Sequence, residues 1–149
     1  MTSSRLEAVV DGAPFEVRPE LKGLRVLVVD DEEDARELLV GILEKCGSIV
    51  TTAGSAAEAL EQVRAHGPEI LISDIGMPGE DGYSLIRKIC ALAPADGGNT
   101  PAATLTAYAR AEDRRKALDA GYMMHIPKPV EPSELVAVIA SLTRFAARR

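Results

Sequence analysis

The chain reads as a doubly wound α/β domain, a five-stranded parallel sheet with helices on both faces, and three observations carry that reading. Short apolar, β-branched runs alternate with amphipathic helical segments five times. The runs are nearly continuous in apolar residues, which suits strands buried on both faces, and such burial calls for helices on each side of a parallel sheet. The alternation fills about 125 residues, the span of one compact domain.

Residues 1–22 show no sustained period and contain Gly12, Pro14 and Pro19, so they read as a tail or linker. Order is expected to begin near Leu24, with the domain at 23–145 and a short tail at 146–149. The first strand, LRVLVVD from Leu24, precedes a helix with Leu38, Leu39, Ile42 and Leu43 on one face. The second, SIVTTA from Ser48, leads to a helix whose Ser55 and Glu58 have the spacing of a capping box. The third, EILISD from Glu69, is followed by a helix carrying Leu85, Ile86 and Ile89. The fourth, PAATLT from Pro101, gives way to a helix over about Ala111–Ala120 that stops at Gly121, read as a left-handed C-cap. The fifth, YMMHI from Tyr122, ends where Pro127 removes a ladder N–H, and the last helix sets Leu135, Val138, Ile139 and Leu142 at helical spacing.

Composition narrows the function classes. The 149 residues are 46% hydrophobic, 27% charged and only 3% aromatic, the profile of a soluble globular protein with an aliphatic core. A net charge of -6 and a pI near 5.0 disfavour a broad phosphate-binding surface, so no direct nucleic-acid contact is expected; a cation or a basic partner suits the chain better. No apolar run approaches a membrane span of roughly 18 residues, and MTSSRLEAVVDG lacks the order of a signal peptide, so a cytoplasmic protein is expected. Cys46 and Cys90 have neither CxxC spacing nor a nearby His and read as reduced core thiols.

In a doubly wound sheet, function collects at the carboxyl ends of the strands. Here the first strand ends in Asp30 and Asp31, the third in Asp74 and the fourth in Thr106, and Lys128 closely follows the fifth. Three crowded carboxylates cannot all stay ionised without a cation, and Lys128 alone leaves negative charge in surplus. Hard oxygen ligands with room for water suit Mg²⁺, which commonly binds one or two carboxylates together with phosphate oxygens. Phosphoryl transfer asks for an in-line nucleophile and positive charge around the equatorial oxygens. Asp74 fits the nucleophile, Mg²⁺ and Lys128 fit two oxygens, and the Thr106 hydroxyl fits a third.

Four motifs, VVDDEED, ISDIGMPGEDG, TLTAYA and IPKPV, stand in order at these strand ends. Over about Leu24 to Thr143 the chain thereby resembles the receiver domains of two-component response regulators. The resemblance implies a flavodoxin-like sheet of order 2-1-3-4-5 and phosphorylation of Asp74 by a histidine kinase or histidine phosphotransfer protein. It implies Mg²⁺ held by Asp30, Asp31, Asp74 and the backbone carbonyl of Gly76, with Thr106 and Lys128 binding the phosphoryl group and a cis Lys128-Pro129 bond aiming the ammonium. It also implies a switch: the new charge draws Thr106 inward, and the ring at His125 fills the space left. Many relatives carry Tyr or Phe there, so His125 makes that position polar, although plain packing is its simpler role. The readout face would be the fourth helix, fifth strand and fifth helix, presented to a downstream protein target. Gly76 leaves the acyl phosphate open to water while Tyr108 would cover it, and these opposed effects leave its lifetime undetermined. On this reading the chain is a phosphoacceptor signalling module and not an enzyme.

Plainer readings account for several neighbouring charges. Glu32, Glu33 and Asp34 suit the positive end of a helix dipole, which leaves Asp30 and Asp31 as the metal candidates of their cluster. Arg110, Arg114, Arg115 and Lys116 are mixed with Glu112, Asp113 and Asp119, as on a solvated helix face. An EF-hand lacks its glycine and terminal Glu, and no phosphate-cradling glycine loop is present. A phosphatase of the haloacid dehalogenase type, the rival enzyme, needs Asp-x-Asp followed by Thr on the first strand, whereas the chain offers Asp30-Asp31-Glu32. A receiver fold kept only for docking would have no need of the five convergent side chains. The tail, DIGMPGEDG and AGYMMHIPKPV are similar to receivers of hybrid sensor histidine kinases, and a stand-alone regulator acting through protein contacts is equally compatible.

Overall fold

The structure is a computed structural model that describes residues 19–107 and 110–145. After a 3-10 turn at Pro19–Leu21 come β1 (Arg25–Val29), α1 (Glu33–Lys45), β2 (Ile49–Ala53), α2 (Ala56–His66), β3 (Ile70–Asp74) and α3 (Gly82–Cys90). A second 3-10 turn at Pro94–Asp96 leads to β4 (Ala102–Thr106), α4 (Ala111–Ala120), β5 (Met124–Pro127) and α5 (Pro132–Leu142). The strands form one parallel sheet in the order β2-β1-β3-β4-β5, as the resemblance implied.

Period-two alternation in the strands divides the core. Val26 and Val28 join Leu39, Leu43, Leu135 and Ile139 beneath α1 and α5. Leu27 and Val29 turn the other way, toward Val63, Leu85, Ile86 and Ala117 of α2, α3 and α4. Every residue of β3 and β4 is buried, because these strands have neighbours on both sides and helices on both faces. β2 is an edge strand, and its burial alternates so far that Ile49 is 56% exposed.

Several local expectations change in three dimensions. Leu38 is 55% exposed, whereas Leu39, Ile42 and Leu43 are buried; Leu38 lies one helical step beyond the covered face. Cys46 is buried but Cys90, at the last position of α3, is exposed; both thiols are free. Ser55 Oγ caps α2 by accepting from the Glu58 N–H at 3.2 Å, yet Glu58 Oε1 takes the N–H of Gly54 instead of that of Ser55. Gly121 ends α4 with φ 133° and ψ -3°, a positive-φ conformation outside the left-handed helical well. Packing starts earlier than Leu24: Leu21 is fully buried, and the Ser48 hydroxyl donates to its carbonyl at 2.8 Å. The remarks on residues 1–18, Tyr108 and 146–149 fall outside the described residues. Among the described residues no helix is long and apolar enough to cross a membrane.

Candidate functional site

Parallel register carries the acids together. β1 and β3 are neighbours, and their last register pair is Val29 with Ser73, so the chain's next step on each strand presents Asp30 and Asp74 side by side. On the other flank β4 ends at Thr106, whose carbonyl accepts the Lys128 N–H at 2.9 Å and holds the lysine at the same edge. The Lys128-Pro129 peptide bond is cis. Asp30 is 0% exposed, Asp74 6% and Thr106 8%, while Asp31 faces solvent. One carboxylate oxygen from each of Asp30, Asp31 and Asp74 lies within 4.8 Å of the other two.

Within this cluster the hydrogen bonds are unequally shared. Asp74 Oδ1 accepts from Lys128 Nζ at 3.0 Å and from the Ile75 N–H at 2.9 Å; among the described residues Oδ2 accepts none. Asp30 Oδ1 accepts the Glu32 N–H at 2.9 Å, but among the described residues Oδ2 is buried without a hydrogen-bond partner, with Lys128 Nζ 3.9 Å away. Burial pushes the Asp30 carboxyl above its ordinary range, and the Asp74 and Asp31 charges add to that, against the Glu32 N–H and Lys128. Burial also pulls the Lys128 ammonium down, yet its hydrogen bond to Asp74 and the charges of Asp74 and Asp30 outweigh this and raise it. An orphaned, buried carboxylate oxygen among two further carboxylates is costly unless a cation meets it, so the donor set fits a hard divalent ion.

The loop after β3 is closed from behind. Gly82 donates its N–H to the Ile75 carbonyl at 2.9 Å, and the buried Tyr122 hydroxyl donates to the Gly82 carbonyl at 2.7 Å. A Cβ at Gly82 would run into the Asp74 carbonyl and stand 3.0 Å from Ile75 Cα, so only glycine allows this approach. Asp81 Oδ1 caps α3 through the Ser84 N–H. At Gly76 a Cβ would have open space around it.

Other expected residues take plainer places. Glu32, Glu33 and Asp34 are exposed, and Glu32 caps α1 without a side-chain hydrogen bond, so their contribution to the helix is charge alone. Arg110, Arg114, Arg115 and Lys116 are exposed; the Lys116 ammonium lies 4.4 Å from the centre of the Tyr83 ring. His125 is half-buried on β5, paired in register with Thr104. It lines a groove of about 400 Å³ between α4 and α5, with the exposed Leu118 and Met123 on its rim.

Sequence reasoning passed over Arg36 and Tyr122. Arg36 Nη1 donates to the Asp30 carbonyl at 2.7 Å, and Tyr122 secures the start of α3. Both bonds end on backbone carbonyls, which no side-chain motif records.

Residues 26–140 match the model of the response regulator receiver domain family. The chain is 44% identical over 119 residues to an uncharacterized 14.6 kDa protein in the sodA1 3' region of Leptolyngbya boryana, covering 80% of this chain and 89% of that one. It is 36% identical to response regulator MprA of Mycobacterium leprae, covering 81% of this chain and 51% of the relative, so it spans about half of that protein's length. Among solved structures, chemotaxis protein CheY4 of Vibrio cholerae aligns with a TM-score of 0.75 at 25% identity, over 80% of this chain and 98% of the other. The receiver domain of a signal transduction histidine kinase from Syntrophus aciditrophicus aligns with a TM-score of 0.74 at 28% identity, over 83% and 92%.

Proposed function

We propose that this chain, which belongs to the response regulator receiver domain family, accepts a phosphoryl group on Asp74 from a histidine kinase or a histidine phosphotransfer protein. The observation that supports this most is the division of labour at Asp74. Lys128 and the Ile75 N–H occupy Oδ1, which leaves Oδ2 as the attacking atom. Oδ2 forms the new O–P bond as the P–N bond of the donor phosphohistidine breaks, and the departing electron pair returns to the imidazole, which takes up a proton. Lys128 holds one phosphoryl oxygen and the Thr106 hydroxyl donates to another. Asp30, Asp31, Asp74 and the Gly76 carbonyl are the ligands assigned to Mg²⁺, and the orphaned Asp30 Oδ2 supports that assignment. When bound, the ion neutralises charge on the phosphoryl oxygens.

The output we assign is a change in protein contacts. Thr106 moves toward the phosphoryl group and His125 follows it, reshaping the groove between α4 and α5 for a downstream protein. The apolar rim of Leu118 and Met123 supports a protein partner, and the net charge of -6 disfavours nucleic acid. We take residues 23–145 as the receiver unit, with Leu21 as part of its core, and the cytoplasm as its compartment. The relatives support both contexts: CheY4 is nearly covered by this chain from end to end, and the Syntrophus domain comes from a kinase.

The test is incubation with Mg²⁺ and acetyl phosphate followed by intact-mass measurement. A single phosphoryl adduct that is absent from Asp74→Asn is expected. No adduct, or an equal one in Asp74→Asn, overturns the proposal, and sustained phosphate release from varied phosphoesters would point to a phosphatase.

A further inference from the structure

We propose that Arg36 is a positioning residue of the acidic site: its guanidinium secures the end of β1 so that Asp30 Oδ2 stays directed into the carboxylate cluster. This rests on the function proposed above and adds to it a residue outside the set of candidate ligands. Beyond Val29 the ladder between β1 and β3 stops, and Asp30 would be left to the loop that follows. Instead, three of its polar atoms are tied. Its N–H donates to the Ala53 carbonyl at 3.1 Å, its Oδ1 accepts from the Glu32 N–H at 2.9 Å, and its carbonyl accepts from Arg36 Nη1 at 2.7 Å. The fourth, Oδ2, is buried with no hydrogen-bond partner among the described residues. With its peptide held on both sides, the carboxylate has little freedom to swing Oδ2 away, and a ligand oxygen set in advance loses less entropy on meeting a cation.

The seat for Arg36 is itself built. A Cβ at Gly54 would stand 3.1 Å from Arg36 Nη1, closer than a side chain ordinarily tolerates, so the bare glycine leaves room for the guanidinium. The Gly54 N–H is in turn held by Glu58 Oε1 at 2.8 Å, which fastens this turn to the start of α2. Arg36, the fourth residue of α1, is therefore bonded to the end of β1 and lies beside the turn after β2. The Arg36 bond ends on the Asp30 backbone and not on its carboxylate, so the role assigned to Arg36 is one of position.

Calorimetric titration of Mg²⁺ into the unphosphorylated 149-residue protein, with urea unfolding measured alongside, separates this role from a merely structural tie. In Arg36→Met the stem remains and the donor is lost, and Mg²⁺ affinity should fall about tenfold. Arg36→Lys keeps a donor and should recover most of that loss, and Gly54→Ala, which crowds the guanidinium, should weaken binding by a smaller factor. Wild-type affinity in Arg36→Met, with only the urea midpoint lowered, overturns the proposal. Should Arg36→Met fail to fold, wild-type affinity in Gly54→Ala overturns it in the same way. A wild-type protein that binds no Mg²⁺ overturns the metal assignment itself, and this inference with it.

Discussion

Lys128 Nζ donates to Asp74 Oδ1 at 3.0 Å, joining residues 54 positions apart, and stands 3.9 Å from Asp30 Oδ2. One ammonium thus serves two buried carboxylates and serves them unequally. The site holds Asp74 firmly and leaves Asp30 short of a counter-charge.

Removing the lysine should expose that dependence. In Lys128→Met the Asp74 carboxylate loses its charged partner while staying largely buried. Because the Lys128 side chain is 31% exposed, solvent screening tempers the loss, and Mg²⁺-free stability should drop by about 1 kcal/mol in urea unfolding at neutral pH. Added Mg²⁺ should restore part of it.

Neutralising Asp30 should act in the opposite direction. Asp30→Asn removes the buried charge that repels Asp74 and Asp31, so the Mg²⁺-free protein should gain about 1 kcal/mol. Its unfolding temperature should then respond little to Mg²⁺, whereas that of the wild type should rise with the ion. Calorimetric scans of both proteins with and without Mg²⁺ check the pair of outcomes.

The same carboxyl sets a pH dependence. Burial, reinforced by the Asp74 and Asp31 charges, raises Asp30 above its ordinary 3.8, so on acidification the folded chain binds this proton before the unfolded chain does. Its contribution to stability is therefore fully present below 3.8 and is lost as pH rises through the folded value. The wild type should match Asp30→Asn most closely in strong acid and fall behind it toward neutrality. Mg²⁺ affinity should run the other way, declining as pH drops into the range where Asp30 takes its proton. Lys128, whose net shift is upward, stabilises below 10.5, and that contribution fades as pH climbs through its folded value. Urea midpoints across pH for both proteins test the sign.

Glycine positions offer a paired test. Gly82→Ala places a methyl against the Asp74 carbonyl and 3.0 Å from Ile75 Cα, and backbone cannot step aside cheaply. A loss of about 2 kcal/mol is expected, with weaker Mg²⁺ binding because the end of β3 that carries Asp74 shifts. Gly76→Ala meets open space and should leave stability nearly unchanged. Unfolding of the two variants side by side decides this.

The fold was legible because its signals are local. Val26 to Val29 announces a central strand by being apolar at every step, and the structure sends alternate members to opposite faces. Leu39, Ile42 and Leu43 announce the buried stripe of α1, but the width of that stripe depends on how far the neighbouring elements cover the helix, and Leu38 falls outside that cover. Cys90 differs from Cys46 for a similar reason: an apolar period says that a helix is covered somewhere, and the neighbouring elements set where the cover stops.

The candidate site divides along the same line. That Asp30, Asp74 and Thr106 end their strands, and that Lys128 follows a fifth, can be read from strand patterns, since parallel strands in one sheet deliver their carboxyl ends to one edge. The rest arises from packing: that Asp30 is fully buried while Asp31 faces water, that among the described residues Asp74 keeps one oxygen clear of hydrogen bonds and Asp30 Oδ2 has no hydrogen-bond partner, and that Arg36 reaches a backbone carbonyl past Gly54. Burial and pairing belong to several distant segments at once, because they depend on which atoms the register brings within a few ångströms. A periodic pattern describes one segment at a time, so it names the residues at the edge and leaves their partnerships to the folded chain.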